Sequence, residues 1–325
     1  MRDRSRTTIH DVARAAEVSH QTVSNVLNGT GRVGALARAR VTEAIAALGY
    51  RPHAGAASLR TGRSRRLAHP VVTGELGPAN TIMLEFIQAL TSAAGRRGNH
   101  LLLTDGGAGL GDVEDLVRSG AVDAVVLANV LPRDERVATL AAQRIPFACF
   151  GRTAADQPQN WIDVDNRAGV HDATTHLLGR GHERITFLGY VPQGGWDDER
   201  EAGYRDAMTA AGLPARVMHT EPGGAIDSVL AGQRPTAIVT GSDVLAAALY
   251  TAAARQGLRV GRDLAVTGFD GSVVGRVLDP ALTTVAIPVD AIADRLVARV
   301  LAELDGPTGA PGELVRPELV LGESG

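Results

Sequence analysis

The sequence predicts two unlike parts: a small all-α head over about the first 50 residues, and an α/β domain built on parallel sheets over the rest. Three observations carry this reading. Residues 1–66 hold twelve Arg against four acidic residues, a charge of +8, whereas the remaining 259 hold 21 Arg against 32 acids, or −11. Three short stretches of helical periodicity, bounded by capping residues, fill the basic part. Beyond Arg66, short apolar or β-branched runs alternate with amphipathic segments about every 25–30 residues, the pattern of parallel strands covered by helices.

In the head, Thr8 precedes IHDVARAAEV, where Ile9, Val12, Ala13 and Ala16 fall on one helical face. Thr8 suits an N-cap, and Asp11 suits the positive end of that helix. Ser19 caps a second helix, HQTVSNVLN, whose Val23, Val26 and Leu27 face inward, and Asn28-Gly29 ends it. A third helix runs from about Leu36 to Leu48, burying Val41, Ala44, Ile45 and Leu48 before Gly49. Three short helices with a tight turn between the first two make a helix-turn-helix. A basic head on an acidic body is the asymmetry expected when the head alone meets a polyanion.

The chain of 325 residues exceeds one ordinary core. Composition excludes several classes. No apolar run reaches the roughly 18 residues needed to span a bilayer, and the polar start MRDRSRTTIHDVARAAEVS lacks a secretory signal, which predicts a cytoplasmic protein. The lone Cys149, in PFACFG, cannot form an internal disulfide and suits a small buried hydrophobe. All 33 basic residues are Arg, so neither a Walker A lysine nor a lysine Schiff base is available. GGAGLG (106–111) lacks the GxGxxG spacing, HExxH and GxSxG are absent, and His171, His176 and His182 lack metal-ligand spacing. No catalytic residue, metal or cofactor is therefore expected.

TIHDVARAAEVSHQTVSNVLNG, followed by ARARVTEAIAALGYRP and SLRTGRS, resembles the headpiece of the lac repressor (LacI/GalR) family over about 60 contiguous residues. Two positions depart from its pattern. Glu17 stands where the turn usually has Gly or Asn, and Gly34 replaces the hydroxyl residue that usually caps the third helix. The resemblance implies that the second helix enters a DNA major groove and that His20, Gln21 and Asn25 read bases. It implies phosphate contacts from Thr8, Ser19, Thr22, Ser24 and Asn28. In RPHAGAASLRTGRSRR it implies a hinge helix formed on DNA, with Leu59 wedged into a minor-groove step and Ala56 letting paired hinges approach. The alternative for that segment is a plain linker.

TGSDVLAAALYTAAARQGLRVGRDLAVTGFDG and DPALTTVAIP are similar to the effector domain of the same family. The implied architecture is periplasmic-binding-protein-like. It places a helix-turn-helix domain at 1–50 and a hinge at 51–65. An effector-binding and dimerisation domain follows at 66–325, with an N-subdomain at 66–180 and 287–309 and a C-subdomain at 181–286 and 310–325. Ligands in such folds bind outside the carboxyl ends of the strands, where Asp105, Asn129, Gly151-Arg152, Tyr190, Ser242-Asp243 and Asp270 fall. Asp243 alternatively caps the helix starting at Val244, and Asp105 alternatively sits in a turn. Arg200, on the polar turn WDDERE, and Asp270, in GFD, match ligand-facing positions of the family, where the arginine grips ligand hydroxyls; for Arg200 the alternative is an exposed salt bridge to Asp197 or Glu201. Trp196 is placed either to stack on a sugar face or to pack in the core, whereas Trp161 reads as core. The expected effector residues are thus Asp105, Arg152, Tyr190, Trp196, Arg200, Ser242 and Asp270. The expected protein is a repressor that binds a pseudo-palindromic operator as a homodimer, or as a tetramer, under control of a sugar-like effector. A solute-binding protein without DNA function and a sugar-processing enzyme are the rival readings; the basic head opposes the first and the missing nucleophile the second.

Overall fold

Helix α1 (Ile9–Ala15) begins in a capping box. The Thr8 hydroxyl accepts from the Asp11 N–H at 3.3 Å, and the Asp11 carboxylate accepts from the Thr8 N–H at 2.9 Å. Ser19 caps α2 (His20–Asn28) by accepting from the Thr22 N–H, and Gly29 closes it at φ 66°. Helix α3 (Ala35–Leu48) starts at Gly34 with no side-chain cap and ends at Gly49, φ 58°. Val12, Ala13, Ala16, Val23, Val41 and Ala44 form the small core. Leu48, expected inside, is 39% exposed. Glu17 does sit in the left-handed region, at φ 52°. A computed structural model describes residues 7–50, 62–72, 80–106, 110–192, 195–221, 226–231 and 234–325. The expected hinge residues Ala56 and Leu59, and the side chain of Asn28, lie outside them. Two compact units are present, Met1–Ser64 and Arg65–Gly325.

The second unit holds two six-stranded sheets. In the first, the order is β11 (Glu313–Val315), β5 (Trp161–Val164), β4 (Phe147–Phe150), β3 (Ala124–Leu127), β1 (Arg66–Val71) and β2 (His100–Asp105), all parallel. In the second, it is β12 (Glu318–Val320), β10 (Thr283–Ala286), β9 (Ala265–Asp270), β8 (Ala237–Thr240), β6 (Ile185–Tyr190) and β7 (Arg216–Thr220), with only β12 antiparallel. Helices α4 (Thr81–Arg96), α5 (Gly111–Arg118) and α6 (Glu135–Ala142) connect strands of the first sheet. Helices α7 (Asn166–Gly179), α8 (Trp196–Ala210), α9 (Asp227–Ala231), α10 (Asp243–Arg255) and α11 (Val273–Arg276) accompany the second. Helix α12 (Val289–Glu303) returns to pack on α4, β3, β4 and β5.

The chain therefore crosses between subdomains three times, but two crossings differ from the sequence boundaries. Helix α7 packs on β8, β9, β10 and β12, so the first crossing is at Asp165, not near residue 180. Strand β11 pairs with β5, so the last crossing is at Arg316-Pro317, not near residue 310. Both shifts have one cause: helix periodicity and a three-residue strand say nothing about which sheet they join.

Two features fix the geometry at the cleft. Gly203 lets α8 lie against α7, since a Cβ there would stand 2.2 Å from the Arg167 carbonyl oxygen. Glu85, on α4 of the first subdomain, accepts from the Val273 N–H at 2.9 Å and from Arg276 Nη2 at 3.2 Å, on α11 of the second.

Candidate functional site

Two surfaces carry the predicted residues. On the head, His20 and Gln21 are exposed in the first turn of α2, and Asn25 is half-buried one turn later. Gln21 Nε2 donates to Asn25 Oδ1 at 3.1 Å, which aligns the two amides along one helix face. Gly31 (φ 74°) folds the following turn back onto Asn25, where a Cβ would stand 3.0 Å from Nδ2. The first turn of α2 contains no acidic residue; Ser19 caps its Thr22 N–H, and no carboxylate of that turn offsets the positive end of the helix. Thr8, Ser19 and Thr22 hold their hydroxyls in the caps.

The other surface is a cavity of about 220 Å³ between the strand ends of the two sheets. Tyr190, Trp196, Arg200, Ser242 and Asp270 line it, as the sequence expected of them. Ile82, Met83, Val130, Phe150 and Ile287 add apolar lining that sequence reading did not assign. Backbone turns at the strand ends are sharp: Asn129 (φ 48°), Gly151 (φ 116°) and Asp270 (φ 114°) all line the cavity at positive φ. Non-glycine residues in such conformations cost about 1–3 kcal/mol each and cluster where function requires them.

Arg200 differs from its sequence picture. It lies inside α8 rather than on the preceding turn, and it is buried rather than paired at the surface with Asp197 or Glu201. Its Nε donates to Asn166 Oδ1 at 2.9 Å, Nη1 donates to the Gly241 carbonyl at 2.6 Å, and Nη2 stands 3.5 Å from Asp270 Oδ1. The Phe269 and Trp196 rings cover the guanidinium, with centroids at 3.7 and 4.6 Å. Glu201 is occupied instead by Arg205 and His219, at 2.7 and 2.8 Å.

Three further placements correct the sequence reading. Asp105 is exposed at the end of edge strand β2 and does not line the cavity. Arg152 is likewise not a lining residue; its Nε lies 3.5 Å from the lining residue Asp163, and its Nη2 lies 3.7 Å from Glu199. Ser242, not Asp243, caps α10, by accepting from the Leu245 N–H at 3.2 Å. Asp243 is buried and accepts from the Ser272 N–H (2.6 Å), the Ser272 hydroxyl (3.0 Å) and the Thr284 hydroxyl (2.5 Å). Trp161 is core, as expected. Asp163 and Asn166 were missed because WIDVDN was not recognised as a strand end.

Burial shapes the electrostatics of the cavity. It raises the carboxyls of Asp270 and Asp163, and the nearby Arg200 and Arg152 guanidinium groups oppose it. Asp197 is pushed up to about 6 by the same cause, again against Arg200. Arg200 is lowered by burial and held up by Asp270, Asp197 and Asp163. The Tyr190 phenol is raised by burial, with the Ser242 hydroxyl bonded to it opposing. Among the described residues the cavity is thus lined by one guanidinium, two carboxyls and a set of apolar side chains.

Comparison with known proteins gives the following likenesses. Residues 8–53 match the family model for bacterial regulatory proteins of the lacI family, and residues 174–325 match that for a periplasmic binding protein-like domain. The HTH-type transcriptional regulator MalR of Streptomyces coelicolor is 34% identical over 97% of this chain and 95% of its own. The HTH-type transcriptional regulator DegA of Bacillus subtilis is 30% identical over 87% of each chain. Among solved structures, a complex of the transcriptional regulator CelR with cellobiose is 26% identical, covers 98% of this chain and all of that one, and has a TM-score of 0.70. A lac repressor dimer bound to operator and the anti-inducer ONPF shares the fold at 24% identity, with a TM-score of 0.83 over 98% of this chain and 99% of that one.

Proposed function

Since the chain belongs to the lacI family of bacterial regulatory proteins, we propose that it is a repressor that binds a pseudo-palindromic operator as a dimer and responds to a sugar-like effector held in the cleft. The chain is a transcription regulator; operator, effector and residue roles are the proposal. The observation that carries it is the exposed, acid-free first turn of α2, where His20, Gln21 and the linked Asn25 share one face. Amide side chains of this kind bond adenine bidentately at its N6/N7 edge, and a histidine donates to guanine or to phosphate. Thr8, Ser19, Thr22, Ser24 and Asn28 then face phosphates, and Ala56 and Leu59 belong to a hinge that forms on DNA.

The effector role falls to Tyr190, Trp196, Arg200, Ser242 and Asp270. Asp163 and Asn166 join them, and Arg152 acts through Asp163. Bound sugar in the CelR complex supports this class of ligand. The role is regulation rather than catalysis, in keeping with relatives that are transcriptional regulators. No helix among the described residues is long and apolar enough to cross a membrane, and the proposed site of action is the bacterial cytoplasm, where the chromosome lies.

The test is selection of a preferred duplex by the full chain, followed by binding at several salt concentrations. A dimer neutralising about 6–10 phosphates should lose about 10³–10⁵ in affinity between 50 and 200 mM salt. Gln21→Ala should cost about 1–3 kcal/mol on the selected duplex and much less on random DNA. Equal losses on both would remove Gln21 from the base readers.

A further inference from the structure

We propose that the cleft selects an uncharged polyhydroxylated effector and rejects its phosphate ester, an inference that rests on the effector reading above and narrows it. A buried phosphate is normally held by charge-assisted donors or by the N–H groups of a helix N-terminus. Here the lining guanidinium is engaged by the protein itself, and the helices that open at the cleft carry acidic or capping residues at their first turns.

Three helices open at the cleft, and each begins with acidic residues of the chain. Helix α8 starts Trp196-Asp197-Asp198-Glu199. Helix α10 starts at Asp243, with its cap position filled by Ser242. Helix α7 follows Asp165, whose side chain accepts from the Ala168 N–H at 3.0 Å. A carboxylate at a helix N-terminus satisfies the dipole that would otherwise attract an anion. An incoming phosphate would meet the acidic first turn of α8 and the carboxylate that caps α7, whereas the Asp243 carboxylate is turned to Ser272 and Thr284 and the α10 cap is filled by Ser242.

The cations are committed in the same way. Arg200 is the one basic residue among the described residues that line the cavity. Its edges are directed at Asn166, the Gly241 carbonyl and Asp270, and its faces are covered by Phe269 and Trp196. Arg152, at the margin, is drawn between Asp163 and Glu199. Segments 73–79 (TGELGPA) and 193–194 (QG), which flank Asn80 and Trp196 in the chain, contain no basic residue. A dianion would therefore be desolvated beside the carboxyls of Asp163 and Asp270 while the lining guanidinium is already engaged, and such juxtaposition is a means of rejecting a wrong partner.

What the cavity offers instead is the carboxyls of Asp163 and Asp270 and the amides of Asn80 and Asn129, beside the apolar side chains of Ile82, Met83 and Phe150. That is complementary to a ring whose edge carries hydroxyl donors and whose face carries C–H groups.

The test uses the full-length protein and calorimetry, with Trp fluorescence as a second readout. The probes are neutral compounds paired with their esters: glucose and glucose 6-phosphate, ribose and ribose 5-phosphate, adenosine and its 5′-monophosphate, and cellobiose and its phosphate. At least one neutral member should bind, and its ester should bind at least a hundredfold more weakly. Asp163→Asn and, separately, Asp197→Asn should each narrow that gap, so the outcome does not depend on one variant folding. An ester that binds within a hundredfold of its neutral parent overturns the charge selection and leaves the effector reading standing. If no neutral member binds, the effector reading falls with it.

Discussion

Two ion pairs of nearly equal length sit in two regions of this protein. In the head, Arg40 Nη1 and Glu17 Oε2 are 3.4 Å apart with side chains 47% and 80% exposed. In the cleft, Arg200 Nη2 and Asp270 Oδ1 are 3.5 Å apart with 7% and 9% exposed. Distance alone would rank them equal. Solvent makes the first worth about 0–1 kcal/mol, whereas removing one partner of a buried pair costs about 3–5 kcal/mol because the other charge is stranded. The same contrast separates the two candidate sites. The head presents exposed polar groups to an outside partner, and the cleft holds polar groups that the fold itself depends on.

The largest way to break the comparison is Arg200→Ala. The sequence alone suggested a clamp whose loss would silence the effector response and leave the rest intact. In the structure the same change strands Asp270, Asn166 Oδ1 and the Gly241 carbonyl together. The effector domain should lose about 3–5 kcal/mol in urea unfolding followed by Trp fluorescence. A loss below about 1 kcal/mol, the value of an exposed pair, would mean that water reaches Arg200 and the contrast is void.

Gly203→Ala is the next test. It does not touch any ligand-facing group, yet its Cβ would stand 2.2 Å from the Arg167 oxygen and force α8 away from α7. Overpacking of this kind costs about 1–3 kcal/mol, occasionally more, and it would also move Trp196 and Arg200, both on α8. Effector affinity in calorimetry should therefore fall although no contact has been deleted. Unchanged affinity would show that the cleft tolerates a displaced α8.

The difference between the regions also explains what the sequence made legible. Thr8, Ser19 and Gly29 announce the head's helices by local chemistry, and His20, Gln21 and Asn25 are neighbours on a single nine-residue helix. The cleft is assembled from strand ends that only the sheet order brings together. Asp243 read as a cap because Ser272 and Thr284, which it actually holds, lie 29 and 41 residues away. The strand RLAHPV carries Pro70, a residue that argues against a central strand. Pro70 is accommodated because β1 is registered with β3 only at Leu67 and Ala68 and pairs with β2 along its length. Strands Trp161–Val164, Arg216–Thr220 and Glu313–Val315 are short and lack a distinctive pattern. Asp163 and the subdomain crossings were lost with them.

The smallest test returns to the head, where two weak effects oppose each other at one residue. Glu17 occupies the turn between α1 and α2 at φ 52°, a conformation that costs an ordinary L-residue about 1–2 kcal/mol and that Asn visits more readily. Among the described residues its carboxylate gains in return the exposed contact with Arg40, worth about 0–1 kcal/mol and screened by salt. Glu17→Asn relieves most of the first and gives up the second, and it avoids the unfolded-state entropy that Gly would add. The strain term is the larger, so the head should gain a few tenths to about 1 kcal/mol, with the larger gain at high salt, where the ion pair is already screened. Native-state hydrogen exchange of the α1 and α2 amides in the full-length protein reads this out locally, because the Val18 N–H bonded to the Ala13 carbonyl at 3.0 Å closes that turn. Slower exchange is the expected result. Faster exchange at low salt would mean that a surface pair in this head outweighs backbone strain, and the ranking drawn from exposure would fail on its weakest member.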